Sequence, residues 1–138
     1  ILSNLYKIMN EKKIIQIASK TSFYGLKNLY DYKIKAKNKI CGDEIKIEVD
    51  KDFKNIRFET SSCIYTQASA AILANNFSEI YNYGLERLLK YIKRKLDGDN
   101  VEIPLKIKEL NFLLLKENKN RKECITLPYD AILRIIND

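Results

Sequence analysis

Three cysteines and one aspartate are the residues of this chain best suited to metal chemistry. Cys41, Cys63 and Cys124 are far apart in the sequence, and Asp43 follows Cys41 after a single glycine, Gly42. Thiolates bind zinc and the iron of iron–sulfur clusters, and a carboxylate completes a set of four ligands for a tetrahedral ion. The sequence has no histidine, so neither a Cys–His nucleophile nor a Cys–His zinc finger is available.

Each cysteine is predicted to lie at a junction between elements. Cys41 falls between two predicted strands, Cys63 where a strand gives way to a helix, and Cys124 just before the last predicted helix. A thiol at a helix N-terminus is stabilised as thiolate by unpaired backbone N–H groups. Gly42 adopts backbone conformations that other residues avoid, which allows Cys41 and Asp43 to turn toward one point. The pattern indicates a shared thiolate site; three separately buried, inert cysteines are the competing interpretation.

The number and sequence context of the cysteines also indicate the cellular compartment in which the protein is expected. Three cysteines cannot all pair, no C-x-x-C pair is present, and no secretory signal is visible. We therefore expect a reducing compartment, the cytoplasm. The apolar runs are too short for a membrane-spanning helix, so no membrane role is expected.

The length and the net charge limit which kinds of protein this chain can be. A chain of 138 residues with 46% hydrophobic and 31% charged residues is typical of one globular domain, here residues 1–138. The net charge of +7 comes from 20 lysines and only 5 arginines. Arginine is the residue suited to bidentate contacts with phosphates and bases. The charge therefore favours a solvated basic face or an acidic protein partner over specific nucleic-acid binding.

Hydrophobic periodicity predicts a helix followed by three strands in the first half of the chain. Residues 2–19 have helical spacing, and we expect the side chains of Leu5, Ile8, Met9, Lys12, Ile15 and Ala18 to share one face. Residues 29–36, 44–50 and 53–60 alternate between apolar and polar, as half-buried strands do. Short links between them favour an antiparallel meander.

The second half is predicted to be helical. An alanine-rich buried helix covers residues 67–75, and a second helix is capped by Ser78 and runs to about Leu96. Pro104 fits the first turn of a short helix. Residues 110–115 are an apolar patch of uncertain type, residues 117–121 a polar loop, and the last helix runs from about Leu127 to Ile136. The chain is thus predicted to be an α+β domain, with helices packed on one face of a three-stranded antiparallel sheet.

Three short stretches of the sequence form a recognisable set: Cys41-Gly42-Asp43; Ser62-Cys63 with residues 67–73; and residues 121–124 with Leu127-Pro128 and Asp130-Ala131. Together they resemble the iron–sulfur cluster scaffold family that includes IscU, the N-terminal domain of NifU, and SufU. The similarity covers nearly the whole chain and is closest to a divergent branch of NifU-like proteins of alphaproteobacteria. It implies the NifU-like fold, also found in SufE, which agrees with the predicted elements.

The resemblance implies a role for each matched residue. Cys41, Cys63 and Cys124 match the cysteines that hold a nascent [2Fe–2S] cluster or a zinc ion. Asp43 matches the aspartate that ligates the metal or modulates cluster release. Arg121 matches an arginine that precedes the third cysteine in SufU-like proteins. The implied partners are a cysteine desulfurase and iron–sulfur acceptor proteins.

The resemblance leaves three functions open. The first is a scaffold, not itself an enzyme, that builds a cluster on the three cysteines. The second is a zinc-dependent sulfurtransferase in which Cys124 accepts persulfide sulfur from the desulfurase. The third is a binding module without metal chemistry. It is suggested by Glu123, which replaces the histidine before the third cysteine of IscU, and by residues 116–120, which lack the chaperone-recognition motif.

Overall fold

The computed structural model describes the backbone of residues 2–137 and the side chains of residue 5 and of residues 7–137. The elements follow in the order α1 (Leu2–Ala18), β1 (Tyr32–Lys37), β2 (Glu44–Val49), β3 (Ile56–Ser61), α2 (Ile64–Asn75), α3 (Phe77–Tyr83), α4 (Leu85–Leu96), α5 (Lys108–Leu113), a 3₁₀ helix (Lys116–Arg121) and α6 (Lys122–Asn137). None of the helices in this part of the chain is long and apolar enough to cross a membrane.

The three strands form an antiparallel meander in the order β1–β2–β3, as predicted. Ile47 is the central residue of the sheet and pairs with Ile34 of β1 and Phe58 of β3. Alternate β2 residues Ile45, Ile47 and Val49 are fully buried because they face the helices. The alternation correctly predicted the order of the strands and the face that points to the core. It did not predict where they start, since β1 and β3 each begin about three residues later than expected.

Helix α2 is the centre of the helical layer. Its Ala68, Ala70 and Ala71 are buried, and small side chains let α1 and α6 approach it closely. Helices α2 and α6 also contact the sheet, α2 at β3 and α6 at β1 and β2. This packing brings the first turns of α2 and α6 to the same end of the sheet.

Residues 22–31, whose structure the sequence pattern did not reveal, pair at residues 23–25 with the free edge of β3 and then contact the face of the sheet that carries Glu48. The buried carboxylate of Glu48 accepts hydrogen bonds from the backbone N–H groups of Lys27 and Asn28. Arg57 donates from its guanidinium to three carbonyls of this segment, those of Ser22, Tyr24 and Gly25. This segment is therefore attached by polar contacts, and such contacts produce no hydrophobic periodicity in the sequence.

Helix α1 packs with a different face from the predicted one. Ile14 and Ile17 are buried, whereas the predicted face is turned toward solvent except at Ala18, which packs against the core. Four of its apolar residues are 50–57% exposed: Leu5, Ile8, Met9 and Ile15. The helix has apolar residues on two sides, and α2 and α5 cover only the side of Ile14 and Ile17. Periodicity alone does not choose between two such faces.

Several predictions in the second half also need correction. The helix predicted to be capped by Ser78 begins at Phe77, so Ser78 lies inside it. It is also two helices instead of one, because Gly84 has a φ of +115° and interrupts it. Pro104 does not start a helix, and the short helix α5 follows it instead. The predicted loop at residues 117–121 belongs to the 3₁₀ helix. The last helix begins at Lys122, so Pro128 lies inside it.

Replacing Glu48 with alanine tests the attachment of the outer segment. The Glu48→Ala variant leaves the backbone N–H groups of Lys27 and Asn28 without an acceptor, and we expect a loss of about 2–3 kcal/mol in the free energy of unfolding. Urea unfolding followed by circular dichroism measures the change. Lys46→Ala is the control, because Lys46 lies on the same side of β2 but is exposed. Equal unfolding midpoints for the two variants would contradict the assignment.

Candidate metal centre

The first part of the site is the loop between β1 and β2. Its ends are joined by hydrogen bonds from Asn38 N–H to the Asp43 carbonyl, 2.7 Å, and from Gly42 N–H to the Asn38 carbonyl, 2.8 Å. The Asn38 side-chain oxygen accepts from Ile40 N–H at 2.9 Å, which makes a local turn. Gly42 has a φ of +74°, a conformation that favours glycine. This turn leaves Cys41 exposed and Asp43 buried.

The second part is the N-terminus of α2. Cys63 is the residue that precedes the helix, with extended backbone angles. Its backbone N–H donates to one carboxylate oxygen of Asp43 at 3.2 Å, and its thiol donates to the other at 3.5 Å. The carboxylate thus caps the start of α2 from the β1–β2 loop.

The third part is the first turn of α6. Since α6 begins at Lys122, Cys124 lies inside the helix rather than before it, and it is 1% exposed. Burial, aided by hydrogen bonds with Asp43, Cys41 and Cys63, raises the pKa of the Cys124 thiol above its ordinary value. This shift is opposite in direction to the one expected for a thiol at a helix N-terminus. A cation bound here would favour the thiolate.

These three parts bring the predicted residues together. The Cys124 and Cys41 sulfurs are 3.6 Å apart. One ligand atom each from Cys41, Asp43 and Cys124 lies within 4.8 Å of the other two, and Cys63 borders the group through Asp43. Two thiolates on one tetrahedral zinc ion are separated by about 3.7 Å, given a zinc–sulfur bond of about 2.3 Å. The donor set and spacing fit a thiophilic cation, and the three sulfurs are not buried separately.

Asp43 supplies a negative charge at the centre. Burial acts to raise the pKa of its carboxyl group. The hydrogen bonds that it accepts from the side chains of Cys124 and Thr66 and from Cys63 outweigh burial and hold the pKa below its usual value. The carboxylate is therefore ionised at neutral pH and available to a cation.

Two polar residues at the site were missed by the sequence analysis. The Thr66 hydroxyl is fully buried and lies 3.0 Å from Asp43 Oδ2 and 3.0 Å from the Cys124 carbonyl oxygen. The Asn38 amide nitrogen lies 3.9 Å from Cys124 Sγ. A threonine three residues after a cysteine in an otherwise apolar helix was the available signal for the first residue. An asparagine at the end of a strand was the signal for the second.

Arg121 lies at the rim of the site. It is exposed at the end of the 3₁₀ helix, with its guanidinium carbon 5.2 Å from the centre of the Tyr65 ring. This cation–π contact joins the end of the 3₁₀ helix to the first turn of α2. Glu123, which precedes Cys124, is exposed.

Comparison with solved structures identifies the architecture. A NifU-like protein (N-terminal) from Brucella abortus superposes with a TM-score of 0.74 at 20% identity, over 91% of this chain and 90% of that one. The chain has the NifU-like fold.

Two further structures share this NifU-like fold. One is FiSufU from Fervidobacterium islandicum AW-1, a proposed iron–sulfur cluster assembly scaffold for the SUF system. It has a TM-score of 0.73 and 20% identity, over 91% of this chain and 94% of that one. The other is a hypothetical protein with a TM-score of 0.70 and 20% identity, over 94% and 98%. The predicted fold class is thereby confirmed. The sequence matches no protein-family model and no curated protein.

Replacing Gly42 with alanine tests how the loop positions its ligands. There is open space where the new Cβ would lie, so the change strains only the backbone and costs about 1–2 kcal/mol of stability. We expect Gly42→Ala also to weaken Co²⁺ binding in an anaerobic titration, because Cys41 and Asp43 flank the strained residue. Gly98→Ala is the matched control, since Gly98 has a φ of +97° and open space but lies at the end of α4. Equal Co²⁺ affinities for the two variants would contradict this role of Gly42.

Proposed function

We propose that this chain is a member of the NifU/IscU/SufU family and acts as an iron–sulfur cluster scaffold. Its cargo is a [2Fe–2S] cluster, held by Cys41, Cys63 and Cys124 with Asp43 and then passed to acceptor proteins. The observation that carries the proposal is the convergence of three distant cysteines and one ionised carboxylate at one end of a NifU-like fold.

The exposure of the ligands suits a cargo that must leave. Cys41 is exposed, Cys63 is partly buried and Cys124 is buried, so the site opens on the side of the β1–β2 loop. Thiolates bind iron and zinc well, whereas a carboxylate is a harder ligand that prefers other ions. A mixed ligand set with one open side favours exchange of the cluster over permanent storage.

Partners and compartment follow from the same proposal. A cysteine desulfurase supplies the sulfur, and iron–sulfur acceptor proteins receive the cluster. The net charge of +7 favours acidic surfaces on these proteins through electrostatic steering. Free thiols require a reducing compartment, for which we propose the cytoplasm.

Anaerobic reconstitution tests the scaffold. Incubation with ferrous iron and inorganic sulfide is expected to give the visible absorption of a [2Fe–2S] cluster, with equal amounts of iron and acid-labile sulfide. Cys63→Ser should abolish this spectrum because it removes one of three sulfur ligands. Ser61→Ala, two residues away at an exposed position, should leave it unchanged. A wild-type protein that retains no iron or sulfide after desalting would contradict the proposal.

A second candidate function is a zinc-dependent sulfurtransferase. Cys41, Asp43 and Cys124 would supply three ligands to a zinc ion, and Cys63, whose thiol lies 3.5 Å from Asp43 Oδ2, would supply the fourth. Arg121, the arginine matched in SufU-like proteins, contacts the Tyr65 ring in the first turn of α2. The thiolate of one zinc ligand would attack the outer sulfur of the desulfurase persulfide, take that sulfur as a new persulfide, and release the desulfurase cysteine as a thiolate. Resemblance assigns this role to Cys124, whereas exposure favours Cys41.

Zinc content and sulfur transfer distinguish the two functions. The sulfurtransferase predicts one zinc ion per chain after purification and faster turnover of a cysteine desulfurase when the chain is added. Persulfide trapping followed by mass spectrometry of Cys41→Ser and Cys124→Ser shows which thiol accepts the sulfur. A zinc-free preparation with full stimulating activity would exclude this function. A Cys41→Ser/Cys124→Ser variant that still stimulates its partner would indicate the binding module.

A further inference from the structure

A proline in α6 leaves a carbonyl of the candidate site without its helical partner. In an α-helix the carbonyl of residue i accepts from the N–H of residue i+4, and the residue four after Cys124 is Pro128, which has no N–H. The Thr66 hydroxyl lies 3.0 Å from this carbonyl oxygen. A side chain of α2 therefore provides the hydrogen bond that α6 cannot make for itself.

The same hydroxyl contacts two other groups of the site. It lies 3.0 Å from Asp43 Oδ2 and 3.8 Å from Cys63 Sγ. Thr66 is fully buried, so water does not replace these contacts. One hydroxyl proton is shared between two oxygen acceptors. Asp43 Oδ2 accepts from Thr66 and from the Cys63 thiol, whereas Oδ1 accepts from the Cys63 N–H and keeps a lone pair for an ion. Thr66, a residue of α2, thus contacts both the β1–β2 loop at Asp43 and α6 at Cys124.

We propose that Thr66 is a positioning residue of the metal centre. Its hydroxyl fixes the orientation of the Asp43 carboxylate and holds the backbone of Cys124 at the distance from Asp43 that an ion requires. This inference rests on the proposed function, since it assigns the outer residue that orients two of the ligands. Outer residues that hydrogen-bond metal ligands typically change metal affinity 10–100-fold when replaced.

The chain contains a matched control for a purely structural role. Ser69, one turn further along α2, donates its hydroxyl to the Ile125 carbonyl at 2.5 Å. It is also fully buried and also joins α2 to α6, but no hydrogen bond links it to Asp43 or to a cysteine. A loss of helix docking alone should affect Thr66 and Ser69 variants equally.

Anaerobic Co²⁺ titration tests the proposal. Thiolate-to-cobalt charge-transfer and d–d absorption bands report both affinity and ligand geometry. We expect Thr66→Val, which keeps the shape of the side chain but removes its hydroxyl, to weaken Co²⁺ binding at least tenfold and to shift the d–d bands. Thr66→Ser should restore both, and Ser69→Ala should bind as the wild type does. Wild-type affinity and spectrum in Thr66→Val, or equal losses in Ser69→Ala, would overturn the proposal.

A second measurement does not depend on metal. In urea unfolding of the metal-free protein, Asp43→Ala and Thr66→Val should be non-additive, because each removes the same hydrogen bond. Asp43→Ala and Ser69→Ala should be additive. Additivity of the Asp43 and Thr66 changes would overturn the positioning role. A wild-type protein that shows this coupling but binds no Co²⁺ would retain the contact while refuting both the metal-centre role of Thr66 and the proposed function.

Discussion

The arrangement of the site depends on the hydrogen bonds to one buried carboxylate, that of Asp43. This side chain comes from the end of the β1–β2 loop and accepts hydrogen bonds from the backbone and thiol of Cys63 and from the hydroxyl of Thr66. A buried charge is costly unless it is fully hydrogen-bonded, and the N-terminus of α2 supplies the donors. The loop is therefore held against α2, and α6 packs against both elements. The sulfurs converge as a result of this packing and not because of their spacing in the sequence.

The strands could be predicted from the alternation of apolar and polar residues, and the candidate ligands from the chemistry of their side chains. The strands near Ile34, Ile47 and Phe58 alternate regularly, so the meander and its inward face could be inferred. The cysteines could be selected because thiols at element junctions are unusual. Their convergence, however, was only a hypothesis at the level of sequence, since no local pattern encodes contacts between residues more than 80 positions apart, as for Cys41 and Cys124.

Other features could not be predicted because tertiary contacts decide them. Helix α1 has apolar residues on two sides, and only the position of α2 determines that Ile17 is buried and Met9 exposed. The last helix begins at Lys122, before the polar and charged residues give way to apolar ones, because the preceding 3₁₀ helix leads directly into it. Pro128 is accommodated in its interior because Thr66, 62 positions earlier in the sequence, satisfies the freed carbonyl. Such a pairing is visible only in three dimensions.

The distribution of the ligands over three elements has a thermodynamic consequence. A cation that contacts the β1–β2 loop, the start of α2 and the first turn of α6 binds the native chain and not the unfolded one. Each tenfold excess of free ion over its dissociation constant then adds about 1.4 kcal/mol to the stability of the fold. A chain that holds such an ion would therefore resist unfolding better than the same chain without it, and the ion-free form would be the one more easily degraded by proteases.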